Sequence, residues 1–237
     1  MTTRFKKLGL ALMVAGLAFV LVGGYTFVKT TEGAASLKAF STVENVTLAY
    51  NGQGQLMDRG TVEGAVPIMN LLKNDWGYPV VAADLNPNDP VVNTATEYMY
   101  QMATVTEHTL TAKTTVILPA DVTTAKGDVV KAGTYAFQND GKYWTGFDRT
   151  DPIQAAARDQ IWTPTALALV GQLGVGTVTA SALQMGLGIA GIAGGMGGFL
   201  FLFGIGLIWA IRPETEKVRE ATEQRGAGKL EPINHPV

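Results

Sequence analysis

Apolar residues crowd the two ends of the chain and thin out between them. Leu8 to Val28 run for 21 positions without a charge. A helix of that length spans about 30 Å, the hydrocarbon thickness of a bilayer. Arg4, Lys6 and Lys7 precede it, and Lys29 and Glu32 follow. Between Asp159 and Arg212 no charged residue occurs, a stretch too long for one span. Thr163-Pro164 reads as a helix start, with Thr as N-cap and Pro in the first turn. Gly171, Gly174 and Gly176 then weaken the pattern, and Thr177, Thr179 and Ser181 make it half polar. The best second span is Gly186 to Ile211, with Trp209 placed for the interface. A third membrane element over 164–182 is the alternative.

The middle of the chain alternates between short patterns. Thr42 to Tyr50 reads as a strand, and Asn51-Gly52 with Gln53-Gly54 as a turn. Val62 to Asn74 carries Val62, Val66, Met69, Leu71 and Leu72 near one helical face, with Pro67 set to kink or shorten it. Leu85 to Pro90 is a turn. Thr94 to Leu110 reads as a helix capped by Asn93 or Thr94, with Tyr98, Met102, Val105 and Thr109 sharing a side. Thr115 to Leu118 and Gly133 to Phe137 read as two strands, and Asp140-Gly141 as a tight turn. Asp151-Pro152 begins a helix that runs through Arg158.

The expected fold is an α+β membrane protein. Two antiparallel transmembrane helices flank a mixed α/β extracytoplasmic domain in which helix slightly dominates. The divisions are 1–7 (cytoplasmic), 8–28 (transmembrane), 29–160 (extracytoplasmic domain), 161–185 (interfacial helix or linker), 186–211 (transmembrane) and 212–237 (cytoplasmic).

Charge sets the orientation of that arrangement. Three cations ahead of Leu8 hold the N-terminus inside. The tail carries Arg212, Lys217, Arg219, Arg225 and Lys229 against five glutamates, and orientation follows Lys and Arg more than net charge. Pro213 to Gln224 extends the helical pattern, and the Gly and Pro content beyond Gly226 suggests disorder. A cleaved signal peptide is the rival reading of the first segment, with Gly33-Ala34-Ala35-Ser36 as small residues for a protease. The apolar run exceeds the usual signal core of about 7–15 residues, which favours a retained anchor. A thiol at Asn139 is therefore expected to be reachable from outside, and thiols at Thr2 and Asn234 are not.

Composition then narrows the chemistry. The net charge of −2 argues against nucleic acid, which wants a basic face. The chain has no cysteine, so disulfides, a thiol nucleophile and thiolate metal sites are excluded. Of the two histidines, His235 lies in the tail. His108 follows Glu107, with Glu97 further back on the same helix. One imidazole without a second makes a poor zinc site. No Gly-x-Ser-x-Gly elbow, phosphate loop or dinucleotide fingerprint occurs. No metal or cofactor is implied. Asn45-Val46-Thr47 fits a glycosylation sequon and is read as chance.

Two groups of residues remain as candidates for contact. Ala182, Gly186, Ala190, Gly194 and Gly198 recur every four residues, a small-residue strip of the kind that lets helices approach in lipid. Its partner is either this chain's own first helix, which offers Ala11, Ala15 and Gly16, or another protein or copy. Tyr143, Trp144, Asp148 and Arg149 form the densest aromatic and charged run, a candidate partner surface. The plainer alternative puts Trp144 and Phe147 in the core and uses Asp148 with Arg149 to cap the next helix.

Several stretches resemble a set of bacterial two-pass membrane proteins, chiefly of high-GC Gram-positive type, with an extracytoplasmic domain and no assigned activity. They are Gly54-Gln55-Leu56-Met57-Asp58-Arg59-Gly60, Asn74-Asp75-Trp76-Gly77-Tyr78-Pro79, Met99-Tyr100-Gln101-Met102-Ala103-Thr104, and Tyr143-Trp144 with Phe147-Asp148-Arg149. The resemblance implies the topology and no chemistry. The expected function is a non-enzymatic accessory or scaffold subunit assembling through the glycine-rich helix, in contact with lipid and with itself or another membrane protein. The alternative is an extracytoplasmic sensor or carrier for a small molecule or envelope component.

Overall fold

The computed structural model describes residues 2–227. His235, Asn234 and the residues from Gly228 on, part of the stretch beyond Gly226 expected to be disordered, lie outside them. Among the described residues the protein is α+β, with two long apolar helices and three two-stranded antiparallel sheets. It divides into two compact units. One is built from the chain before Gly33 and after Leu183, the other from Gly33–Leu183.

The first unit consists of parts of helix α1 (Thr2–Val43) and helix α5 (Pro164–Ala227). Both are long and apolar enough to cross a membrane, and only 17% of the most apolar window of each is buried. Large side chains such as Val14, Leu21, Ile192, Phe199 and Leu202 point away from the pair, each more than 60% exposed. The buried positions are small: Gly9, Gly16, Gly23 and Thr30 on α1, and Ala190, Ala193, Gly197 and Gly204 on α5. This is the reverse of a soluble protein, whose core takes the large apolar residues.

The second unit begins with the last turns of α1. The sequence pattern predicted a strand from Thr42, but the helix runs to Val43 and the only paired strand is β1 (Ala49–Tyr50). The cause is Asn45, whose backbone turns left-handed at φ 54°. The Asn45 N–H then donates to the Thr42 carbonyl at 3.2 Å, and the Val46 N–H to that of Ser41 at 2.9 Å. These are the two bonds of a Schellman stop, which satisfies the last helical carbonyls. β1 pairs with β2 (Leu56–Met57) across the expected Asn51–Gly54 turn.

Helix α2 (Val62–Asn70) ends early and passes into a π-turn, Leu71–Asp75. Pro67 lies inside α2 and supplies no N–H to its ladder. The face that packs is Ala65, Ile68, Leu71 and Leu72, whereas Val66, expected on it, is 52% exposed. Val66 stands about 100° round the helix from Ala65, which the pattern did not separate.

Helix α3 (Ala95–Leu110) starts at Thr94, as one of the two expected caps. Thr94 and Glu97 form a capping box, each bonding the other's backbone N–H. Strand β3 (Lys113–Leu118) pairs with β6 (Gly133–Gln138), with Val116 opposite Tyr135. Inward Val116 and Leu118 alternate with outward Thr115 and Ile117, as the period of a half-covered strand requires. Strands β4 (Val122–Thr123) and β5 (Val129–Val130) pair within the β3–β6 connection. Helix α4 (Pro152–Ile161) packs on β3 and β6. Its cap is Asp151, which accepts from the Ile153 and Gln154 N–H groups, so neither Asp148 nor Arg149 serves there.

Asn139, expected to be open to reagent, is fully buried. Its side-chain amide donates to the carbonyls of Thr109 at 2.7 Å and Lys142 at 3.0 Å, fixing the turn at Gly141. Thr163 caps α5, accepting from the Ala166 N–H at 3.1 Å. Over 161–185, expected as an interfacial helix or linker, α5 begins at Pro164 and runs on without a break. The helix is continuous through Gly171, Gly174, Gly176 and Gly186. Each glycine costs about 1 kcal/mol of helix propensity, but it leaves the backbone bonds intact.

Candidate functional site

Ser41, on the last turns of α1, meets Tyr98 of α3 through a buried hydroxyl–hydroxyl hydrogen bond of 2.8 Å. Tyr98 in turn lies flat against α5 at Gly176. A Cβ at Gly176 would stand 2.5 Å from the tyrosine ring, so only glycine admits the ring in this place. These two contacts hold α1, α3 and α5 around a cleft of about 440 Å³. Its apolar wall includes Leu37, Phe40, Val105, Leu169, Leu173 and Val175. Gln101, Gln172, Thr179 and Glu44 add polar groups to the same lining. Phe40 at 47%, Leu169 at 41% and Val175 at 68% exposure put apolar surface at the mouth. A concave, mostly apolar space of this size with a few polar groups is the ordinary form of a small-molecule site.

Leu173 is buried and Val170 half-buried, while Leu169 faces the cleft. Leu167, at 38% exposure, lines a second, aromatic cleft of about 360 Å³ with Trp76, Tyr143, Trp144 and Trp162. There the Trp76 indole N–H donates to the Tyr143 hydroxyl at 3.1 Å, and Tyr143 stacks on Trp162 with ring centroids 6.0 Å apart. The Arg158 guanidinium sits 4.1 Å over the Trp144 ring.

The predicted partner surface is therefore divided. Tyr143 and Trp144 belong to the aromatic cleft. Asp148 and Arg149 are exposed on the turn before α4. Asp148 accepts from the Thr150 hydroxyl at 2.7 Å and from its N–H at 2.9 Å, and these bonds hold its carboxyl below the usual range. Phe147 is buried against Phe137, with centroids 5.9 Å apart.

His108 is not alone: its Nε2 lies 2.7 Å from an oxygen of Asp58, fifty residues away in sequence. Glu97 does not join that pair. Its carboxylate accepts from the N–H groups of Asn93 and Thr94 and from the Thr94 hydroxyl, each at 2.9 Å. Burial nevertheless raises its pKa. No group of three or more His, Cys, Asp or Glu among the described residues is placed to hold a metal ion.

Of the four-spaced strip, Ala190 is buried, Gly186, Gly194 and Gly198 are half-buried and Ala182 is exposed. Gly186, Ala190 and Gly194 lie on the seam between the two long helices, whose α1 side repeats every seven residues. A Cβ at Gly9 would meet the Gly204 carbonyl at 2.9 Å, at Gly16 that of Gly197 at 2.6 Å, and at Gly23 the Gly194 nitrogen at 2.7 Å. At Gly186 it would meet the Thr30 hydroxyl at 2.6 Å. A step of four residues drifts about 40° round a helix, so a four-spaced strip leaves the contact line. A step of seven drifts only about 20°, which a slight left-handed supercoil removes. Of the residues expected on α1, only Gly16 lies on the seam; Ala11 and Ala15 are exposed.

No protein-family model, curated protein or solved structure matches the chain.

Proposed function

We infer that this chain is a non-enzymatic, membrane-anchored binding protein, a sensor or carrier that takes a small amphiphilic molecule into the cleft between α1, α3 and α5. The observation that carries this reading is the cleft itself, with its apolar wall and its polar rim of Gln101, Gln172, Thr179 and Glu44. The anchor is the glycine-seamed pair. Its exposed large side chains suit lipid, because transferring them from water is favourable at about 25 cal/mol per Å². The cations at Arg4, Lys6 and Lys7 favour an N-terminus in the cytoplasm and residues 29–160 outside.

Binding is tested with N-phenyl-1-naphthylamine, an uncharged apolar fluorophore, on the full chain in lipid nanodiscs. Saturable enhancement is expected for the native chain. It is expected to fall to the level of empty nanodiscs for Val105→Trp, and independently for Val175→Trp on the exposed rim. Native-like binding by both variants would refute the reading.

A second reading, an accessory subunit assembling through α5, has its own support. Cβ atoms at Gly188, Gly191, Gly195 and Gly198 would meet nothing within 4 Å. That leaves a face on which another helix can approach closely. Gly198→Leu would then remove a higher band on a blue-native gel, and an unchanged band pattern would count against assembly there.

A further inference from the structure

We propose that the amphiphile held in the α1–α3–α5 cleft carries a cationic head group, an amine or quaternary ammonium on an apolar chain; this rests on the binding reading given above. The cleft lining contains one charged residue, and it is an acid, Glu44. Glu44 is exposed and makes no ion pair among the described residues. The Glu44 N–H donates to the Phe40 carbonyl at 2.9 Å, so the two residues sit one turn apart at the end of α1. The Glu44 carboxylate and the Phe40 side chain, which is 47% exposed, thus line the same cleft. Carboxylate and ring both attract a cation, the ring through its quadrupole. The C-terminus of α1, at Val43, adds the negative end of a helix dipole to the same place.

The remaining polar groups agree with this. Gln101 and Gln172 bring neutral amides, and Ser41 and Tyr98 are already bonded to each other. No lysine or arginine lines the cleft to receive a carboxylate or phosphate. An anionic head would meet Glu44 with nothing to offset it. A chain between Leu37, Val105 and Leu173 would bury its methylenes at about 0.8 kcal/mol each, so the tail supplies affinity and the head supplies selection.

The chain has no cysteine, so a single Thr179→Cys reports on the cleft alone. Its alkylation by a soluble maleimide is followed on the full chain in zwitterionic nanodiscs. Decyltrimethylammonium, decyl maltoside and decanoate are titrated in turn, with the exposed Ala125→Cys correcting for partition into lipid. Decyltrimethylammonium should protect the thiol at a concentration about threefold or more below that of decanoate, the size expected of one exposed charge pair. Adding Glu44→Gln should abolish that gap, and a gap that persists would overturn the cationic assignment. Equal protection by all three, or stronger protection by the maltoside or decanoate, would overturn the cationic assignment and leave the binding reading standing. Absence of protection by any of them would overturn both.

Discussion

The hydroxyl oxygens of Tyr50 and Tyr100 are buried and have no hydrogen-bond partner among the described residues. An unpaired buried hydroxyl carries its desolvation penalty in full, so replacing it with hydrogen is neutral or stabilising. Tyr100→Phe should therefore raise stability by up to about 1 kcal/mol in urea unfolding, and a loss of 1 kcal/mol or more would reveal an unseen partner. Burial, with the charge of Glu97 adding to it, pushes the Tyr50 phenol up from 10.0 to about 12. The folded value lies above the unfolded one, so this contribution is full below pH 10 and is lost as pH rises toward about 12. Tyr50→Phe should flatten the alkaline fall in stability over that window, and an unchanged slope would contradict the assignment. At this scale local chemistry was legible in the sequence: the Thr163 and Asp151 caps and the Asn51–Gly54 turn follow from neighbouring side chains. Asn45 was not, because its cap geometry competes with a β-like alternation of Val46, Leu48 and Tyr50. The His108–Asp58 pair was out of reach, since fifty residues separate its members.

Elements became legible where one face of one helix decided them. Helices α3 and α4 and the β3–β6 hairpin stand where their periods put them, within three residues. The helix seam did not, because it is a property of two segments at once. Recurrence of Gly9, Gly16 and Gly23 gains meaning only beside Gly197 and Gly204. A prediction separates the seven-residue seam from the four-residue strip. Gly16→Leu or Gly197→Leu must force backbones apart, since a Cβ at Gly16 stands 2.5 Å from the Phe201 nitrogen and one at Gly197 stands 2.7 Å from the Gly16 carbonyl. Either should lower stability by about 1–3 kcal/mol or more, read as a lower thermal midpoint by circular dichroism. Gly191→Leu and Gly198→Leu, whose Cβ positions are open, should leave the midpoint unchanged. The reverse order would move the contact to the face that carries Gly191 and Gly198. The cleft was hidden for the same reason as the seam: α1, α3 and α5 each bring a few residues that look ordinary alone.

At the scale of the whole molecule, the division into two apolar ends and a polar middle was plain in the hydropathy, and it carries the fold class. Function was much less legible, because no catalytic motif or metal spacing marks the chain and the cleft is lined from distant segments. Every functional statement depends on which side of a membrane the cleft faces. With no native cysteine, single thiols can be placed at Thr2, Ala125 and Asn234 and probed on intact cells with a membrane-impermeant reagent. Ala125 is exposed near the β4–β5 turn, and it replaces the buried Asn139 as the probe of the central unit. Two crossings with both ends inside predict labelling at Ala125 alone. Labelling at Asn234 as well would mean that α5 and its flanks cross the bilayer more than once, and labelling at Thr2 without Ala125 would invert the protein; either result would contradict an outward-facing binding cleft on a two-helix anchor.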